Sequence, residues 1–418
     1  MSIGQGVSVD TLVLTDKCEI VKLGDLKVGD KILGPESEIE IKTLDFYEDE
    51  AYIIEGTGKG NISRTAPMIV SHDYVLPLQI NSNKRITRRT GKRGNTTLAF
   101  LVSQVVDGVL KNVTITTYSA NTPDKVQQYD IILKQEKDEY MEQFLGELSV
   151  KYLSTANKRT ACLCRILRGK IDYWEAKKHP VAPYFLGLFL GDGNKERPLI
   201  STIDPEVEEA VETYAKKLNL TFVKRIRDNV NTVAIATGTK GGGGVVNPLL
   251  NNLREINVLN NKHIPLEYIM TSRKKRLKLL AGLLDTDGSI DTQKDKAQRF
   301  QFSQLCKVLT AQVVLLARTL GYNVNHYERP IRICTITETN KGVTKTRKIT
   351  GSAPQQYVII SGKNLKDIPM KIERKKVIYD YIKLSDCPTL KITPNGRSKL
   401  VCLNDGNDRF LTHEFYII

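Results

Sequence analysis

The stretch Leu280-Ala-Gly-Leu-Leu-Asp-Thr-Asp-Gly288 runs five uncharged residues into two carboxylates and a glycine, with Thr271-Ser272 upstream as possible N-caps. It reads as an apolar helix that ends at Asp287. A more divergent copy, Phe185-Leu-Gly-Leu-Phe-Leu-Gly-Asp-Gly193, lies earlier, with Pro183 near its start, and its Asp192 stands 95 residues before Asp287. Gly187 and Gly282 hold the same place in the two copies. A glycine there lets two helix backbones approach closely, and the flanking Leu and Phe side chains supply apolar contact across the pair.

Working outward, each copy is followed by strands, then by an amphipathic helix, Pro205–Leu218 or Gln304–Leu320, and each half offers a Lys-x-Ile-Pro tetrad, Lys262–Pro265 or Lys366–Pro369. The alternation of helix and strand begins near Lys178 and ends near Leu384. This is an internal duplication, and a pseudo-two-fold domain is its natural structural outcome.

Paired helix ends bring Asp192 and Asp287 together. Two such carboxylates repel unless a cation lies between them, and a compact oxygen site suits Mg²⁺ or Mn²⁺. A metal-held phosphate also needs positive charge where the transition state gains negative charge, which Lys262 and Lys366 can supply. Read singly, an Asp-Gly is also an ordinary helix-ending turn, with Gly for a positive φ, and a Lys before a Pro turn is an ordinary surface lysine. Repetition of the whole pattern argues for the chemistry.

Outside this region the chain reads as β structure. From Thr11 to about Lys134, short strand signals (Thr11–Leu14, Glu38–Ile41, Ala51–Ile54, Thr97–Val102, Val113–Thr117, Tyr129–Leu133) alternate with turn residues, and Thr389–Ile392, Leu400–Leu403 and Phe415–Ile418 resume the pattern. A two-part β domain interrupted by an α/β domain fits this order. Within the first part, Lys84-Arg-Ile-Thr-Arg-Arg-Thr-Gly-Lys-Arg93 carries six cations in ten residues. So dense a charge must be a solvated loop or hairpin, either an inert one or a nucleic-acid contact. Gly241–Gly244 lacks the Gly-Lys-Ser/Thr ending of a phosphate loop and reads as a flexible connection.

The 418 residues carry 62 Lys plus Arg against 47 Asp plus Glu, a formal charge of +15. That excess favours a polyanionic partner, nucleic acid first. The seven cysteines (Cys18, Cys162, Cys164, Cys306, Cys334, Cys387, Cys402) show no zinc-finger spacing, and no apolar run reaches a membrane-spanning length, so the expectation is a reduced, intracellular protein.

Leu280–Gly288 matches the LAGLIDADG nonapeptide at seven of nine positions, and the chain resembles the LAGLIDADG homing endonucleases, most closely the intein-borne and mating-type-switching members. Supporting stretches are Ser71–Leu78 running into the basic segment, Tyr214–Leu220 and Leu316–Gly321. The resemblance implies an α+β protein of two domains. A pseudo-two-fold endonuclease domain of two αββαββα halves (178–385) would be inserted in an all-β Hint, or intein-like, domain (1–177 and 386–418). It further implies a monomeric pseudo-dimer that acts in the nucleus on double-stranded DNA at a long asymmetric site and leaves short 3′ overhangs. Asp192 and Asp287 would hold the divalent metal, Lys262 and Lys366 would be the active-site lysines, and Arg85, Arg88, Arg89, Lys92 and Arg93 would grip DNA.

Departures from the family limit the reading. The place of the splicing nucleophile falls at about Gly6. His72 is present with Ile69 in place of its usual polar partner, and the chain closes Phe415-Tyr-Ile-Ile418, so self-excision is not expected. The Cys-rich zinc-binding extension of the mating-type members is not expected either. The alternative function is a catalytically degenerate DNA-binding protein or an RNA maturase on the same fold. Retention of both acids and two lysines favours the enzyme.

Overall fold

The computed structural model describes all residues except 1–4, 58–65, 142, 157–159, 161–162, 228–229, 239–246, 292–297, 332, 341–342, 352, 379–388, 405 and 407. The glycine run 241–244, Cys162 and Cys387 lie outside the described residues. The chain forms two units, Met1–Gly169 with Leu384–Ile418, and Lys170–Lys383. Among the described residues no helix is long and apolar enough to cross a membrane.

The first unit is built on a seven-stranded sheet. Its order is Val7–Ser8, Met68–Ser71, Leu44–Thr57, Thr389–Leu403, Cys164–Ile166, Val75–Asn81, Gln143–Ser149. The late strand Thr389–Leu403 lies mid-sheet, paired with Leu44–Thr57 along its whole length, so the two sequence segments close one core around Ile54, Val70, Leu78, Leu148 and Val401. The two strand signals expected at Thr389–Ile392 and Leu400–Leu403 are thus one strand, whose register slips between Pro394 and Gly396. Proline has no N–H to give the ladder there. The strand expected at Phe415–Ile418 is reduced to isolated bridges, because Phe415 turns the backbone to φ 63°.

A second sheet in this unit joins β1 (Arg85–Thr90), β2 (Thr96–Val106) and β3 (Val109–Ala120), and helix α1 (Pro123–Glu139) covers one face. The expected strand Tyr129–Leu133 is the middle of α1. Pro123 starts the helix, Val126 and Leu133, two turns apart, enter the core with Leu98, Phe100 and Val102, and Tyr129 stacks on Tyr118.

The second unit is the duplicated one. Its first half contains α2 (Pro183–Asp192), β4 (Leu199–Thr202), α3 (Pro205–Lys217), β5 (Thr221–Arg227), β6 (Val230–Ala236) and α4 (Pro248–Glu255). The second contains α5 (Arg273–Asp287), β7 (Gly288–Asp291), β8 (Arg299–Gln304), α6 (Lys307–Thr319), β9 (Asn323–Arg329) and β10 (Gln355–Ser361). Sheet order is β7-β8-β10-β9 in one half and β4-β6-β5 in the other, where Gly193 bridges Ile200 in place of the outer strand. The second half adds a hairpin, Ile333–Asn340 with Val343–Thr350. After β10 the described residues of that half form only the 3₁₀ helices Leu365–Asp367 and Glu373–Lys375, with no α-helix to match α4.

Candidate active site

Helices α2 and α5 meet through their glycines. A Cβ on Gly187 would lie 2.4 Å from the Leu279 carbonyl oxygen and 2.9 Å from the Gly282 Cα, and a Cβ on Gly282 would lie 2.2 Å from the Tyr184 carbonyl oxygen. Leu186, Leu188, Leu190, Leu279, Leu280 and Leu283 are fully buried around the pair. Ser272 occupies the N-cap place of α5, but its hydroxyl makes no capping bond, and Thr271 instead accepts from the Lys177 N–H at 3.1 Å. The fully buried Arg276 ties the helix start to the carbonyls of Thr271, Thr319 and Ile171.

The chain leaves both helices at glycines that are extended, Gly193 at φ −74° and Gly288 at φ −93°, so the Asp-Gly pairs are not positive-φ turns. A Cβ on Gly193 or Gly288 would lie within 2.5 Å of its own helix, at the Phe189 or the Leu284 carbonyl oxygen. Asp192 and Asp287 are therefore last residues of packed helices, not turn formers.

The acids are brought together. A Cβ on Gly191 would lie 3.2 Å from the Asp287 carboxylate. Burial, and then the charge of Asp192, push the Asp287 carboxyl up to about 6, and burial raises Asp192 as well. Lys262 opposes both shifts, and its Nζ donates to the Gly191 carbonyl oxygen at 2.5 Å. The Gln304 side-chain amide donates to Asp287 Oδ2 at 2.8 Å.

Lys366 does not join them. It lies in the 3₁₀ turn Leu365–Asp367, where Leu365 and Ile368 enter the core and Asp367 approaches Arg273 at 3.7 Å. Arg273 begins α5 and Asp287 ends it, so at 1.5 Å per residue this turn sits about 20 Å from the acids. The lysine beside the acids is Lys375. It is 7% exposed, and its Nζ donates to the carbonyl oxygens of Leu284 (3.1 Å), Asp285 (2.7 Å) and Thr286 (3.2 Å) at the end of α5. Burial lowers its ammonium below the usual lysine value, while its charge draws Asp192 and Asp287 down. Lys262 on Gly191 and Lys375 on Thr286 are pseudo-two-fold mates, each holding the carbonyl before a terminal acid. Each arm also meets the N-cap residue of a helix in the other half, though through different groups: the Lys262 carbonyl accepts from Cys306, the N-cap residue of α6, and Arg374 pairs with Asp204, the N-cap residue of α3. Sequence reasoning missed Lys375 because no motif surrounds it.

A cleft of about 540 Å³ opens beside Asp192, lined by Thr202, Asp204, Ser289, Arg374 and Lys375. Among the described residues no three His, Cys, Asp or Glu side chains gather as a ready metal cage. Asp192 opens on this cleft, and together with the neighbouring Asp287 carboxylate that repels it, it fits Mg²⁺, which keeps waters and takes further oxygens from a substrate phosphate.

The proposed DNA-contact residues lie in the first unit. Arg85, Arg88 and Arg89 are on edge strand β1 and Lys92 and Arg93 in the turn to β2, all exposed. Their register divides them. Arg88 lies opposite Leu98 on the face that α1 covers, while Arg85 and Arg89, opposite Leu101 and Thr97, share the other face.

Residues 274–373, from α5 through β10, match the family described as LAGLIDADG-like domain. The replicative DNA helicase DnaB of Mycobacterium intracellulare is 34% identical over 152 residues, which cover 36% of this chain and 21% of that protein. The chain thus spans about a fifth of the curated relative it matches. Similar solved structures include mesophilic variants of the homing endonuclease I-DmoI (TM-score 0.28, 14% identity, covering 44% of this chain and 83% of that one). An I-DmoI variant with its target DNA and manganese gives 0.28, 13%, 44% and 87%, and I-DmoI with DNA and calcium 0.27, 15%, 44% and 83%. TM-scores this low establish nothing further about this chain.

Proposed function

We propose that the protein is a site-specific, metal-dependent double-strand DNA endonuclease that leaves short 3′ overhangs and initiates homing or a programmed rearrangement. The observation that carries this reading is the cluster at the α2–α5 dyad, two helix-end carboxylates flanked by two symmetry-mated lysines. A binding protein needs neither pair.

Asp192 and Asp287 would hold Mg²⁺ or Mn²⁺. Bound there, the cation supplies a water acidified toward hydroxide and neutralises charge on the phosphoryl oxygens. Lys262 would donate to the phosphate oxygens as negative charge grows, Lys375, whose three N–H groups are held by the carbonyls ending α5, would add its positive charge beside the acids, and Gln304 fixes the Asp287 carboxylate through its side-chain amide. The long asymmetric DNA site would extend to phosphates held by Arg85, Arg88, Arg89, Lys92 and Arg93. A nuclear site of action follows from the substrate alone.

Protein splicing is not part of the proposed function. A Cβ at Gly6 would lie 2.1 Å from the Tyr47 hydroxyl, so the place of the nucleophile has no room for a side chain unless Tyr47 moves. The likeness to intein-borne and mating-type-switching members rests on sequence.

Mapping DNA breaks genome-wide after induced expression tests the function. Recurrent breaks at few loci with short 3′ overhangs are expected, reproduced on the recovered duplex in vitro, stopped by chelator, and bound but not efficiently cut in Ca²⁺. Tight DNA binding with no break in Mg²⁺ or Mn²⁺ would leave a DNA-binding protein instead.

A further inference from the structure

The two lysine arms are held by different side chains. On one side the Asp285 carboxylate, 2% exposed, accepts the Lys371 N–H at 2.9 Å, the Ile372 N–H at 3.3 Å and the Tyr184 hydroxyl at 2.7 Å. Ile372 is the residue from which the 3₁₀ turn Glu373–Lys375 departs, and its carbonyl accepts the Lys375 N–H at 3.0 Å. The carboxylate thus fixes the start of the turn that lays the Lys375 ammonium on the end of α5. On the other side Gln312, in α6, clasps Ile264, two residues from Lys262. Its side chain accepts the Ile264 N–H at 2.7 Å and donates to the Ile264 carbonyl oxygen at 3.0 Å.

The pseudo-symmetry breaks at these holders. In α2 the place of Asp285 is taken by Leu190, and in α5 the place of Tyr184 by Leu279, both fully buried. Counted from the N-cap residues Asp204 and Cys306, the mate of Gln312 is Ala210, too short to clasp anything. Neither holder can serve the other arm.

We propose that Asp285 and Gln312 are positioning residues for opposite halves of the site, Asp285 through Lys375 and Gln312 through Lys262, so that each governs cleavage of one DNA strand. The inference rests on the nuclease reading. Misplacing one lysine by an ångström slows the step it serves on the order of a hundredfold and leaves the other strand's lysine where it was.

The test is strand-resolved nicking in Mg²⁺, on the duplex recovered from the break map or from a randomised library, with each strand labelled separately. Asp285→Asn should slow one strand and Gln312→Leu the opposite one. Tyr184→Phe, which leaves the carboxylate in place, should slow the same strand as Asp285→Asn, less severely. Equal slowing of both strands, or the same strand slowed by Asp285→Asn and Gln312→Leu, overturns the proposal. Amide hydrogen exchange on the full chain reads the positioning without cleavage. Asp285→Asn should speed exchange at Lys371 and Ile372 and not at Ile264, and Gln312→Leu the reverse. A wild type that nicks neither strand would dismiss the nuclease reading, while unaltered exchange at these amides would dismiss the positioning.

Discussion

Replacing Gly187 by Ala sets two physical effects against each other. Alanine is the better helix former by about 1 kcal/mol, so propensity alone predicts a more stable protein. The new Cβ, however, would stand 2.4 Å from the Leu279 carbonyl oxygen and 2.8 Å from the Leu283 nitrogen. An ordinary contact is about 3.5 Å. Both neighbours are backbone and cannot rotate away, so α2 and α5 must separate by about 1 Å along an interface of buried leucines. Overpacking of this kind costs about 1–3 kcal/mol, and the separation forfeits dispersion contacts along the seam as well. The clash exceeds the propensity gain, and a net loss of about 1–3 kcal/mol is expected. Trp174, the chain's only tryptophan, lies in this unit, 8% exposed and beneath the Arg276 guanidinium. Its fluorescence therefore follows this unit's unfolding, and the melting temperature should fall by roughly 3–8 °C. Gly282→Ala should behave alike. A variant as stable as wild type, or more so, would refute the close approach.

Lys262→Ala and Lys375→Ala should each slow the chemical step more than they weaken DNA binding, while Lys366→Ala stays near wild type in single-turnover cleavage; the opposite ranking of Lys366 and Lys375 would restore the sequence motif over the geometry. His179, stacked on Tyr268, is pulled down to about 4 by burial and then by Lys275 and Lys177, so the folded unit binds fewer protons than the unfolded chain between the ordinary histidine value of 6.5 and about 4. The stability this gives is complete above pH 6.5 and is lost as pH falls through that window, and His179→Phe should show a smaller drop in Trp174 melting temperature between pH 7 and pH 5. Equal drops would set His179 aside. Changing Arg85, Arg88, Arg89, Lys92 and Arg93 together to Ser should flatten the slope of log binding against log salt by about 0.9 per lost phosphate contact and leave the metal-dependent step intact at saturating DNA. An unchanged slope would make β1 a mere solvated edge.

The dyad was legible because a nine-residue pattern occurs twice and its glycines and acids keep their places. Lys262 followed because its tetrad lies directly ahead of α5. The second tetrad misled, since Ile368 and Pro369 imitate Ile264 and Pro265, yet core packing of Leu365 and Ile368 sets that turn at the far end of α5. The lysine that reaches the acids sits in Arg374-Lys375-Lys376, which in sequence looks like any solvated charge run. Its burial depends on carbonyls of α5 some ninety residues away, which no local pattern encodes. Helix α1 was hidden for a similar reason, because Tyr129, Ile131 and Ile132 favour a strand locally while the face of β2 selects the helical spacing of Val126 and Leu133.

The central claim, that paired helix-end carboxylates run metal-dependent DNA hydrolysis, is tested most directly by Asp192→Asn and Asp287→Asn. Cleavage and DNA affinity should be measured on one duplex in Mg²⁺, with the Trp174 melt confirming that each variant folds. Both variants should bind DNA nearly as wild type does and lose double-strand cleavage. Either one cutting both strands at a near wild-type rate would contradict the account.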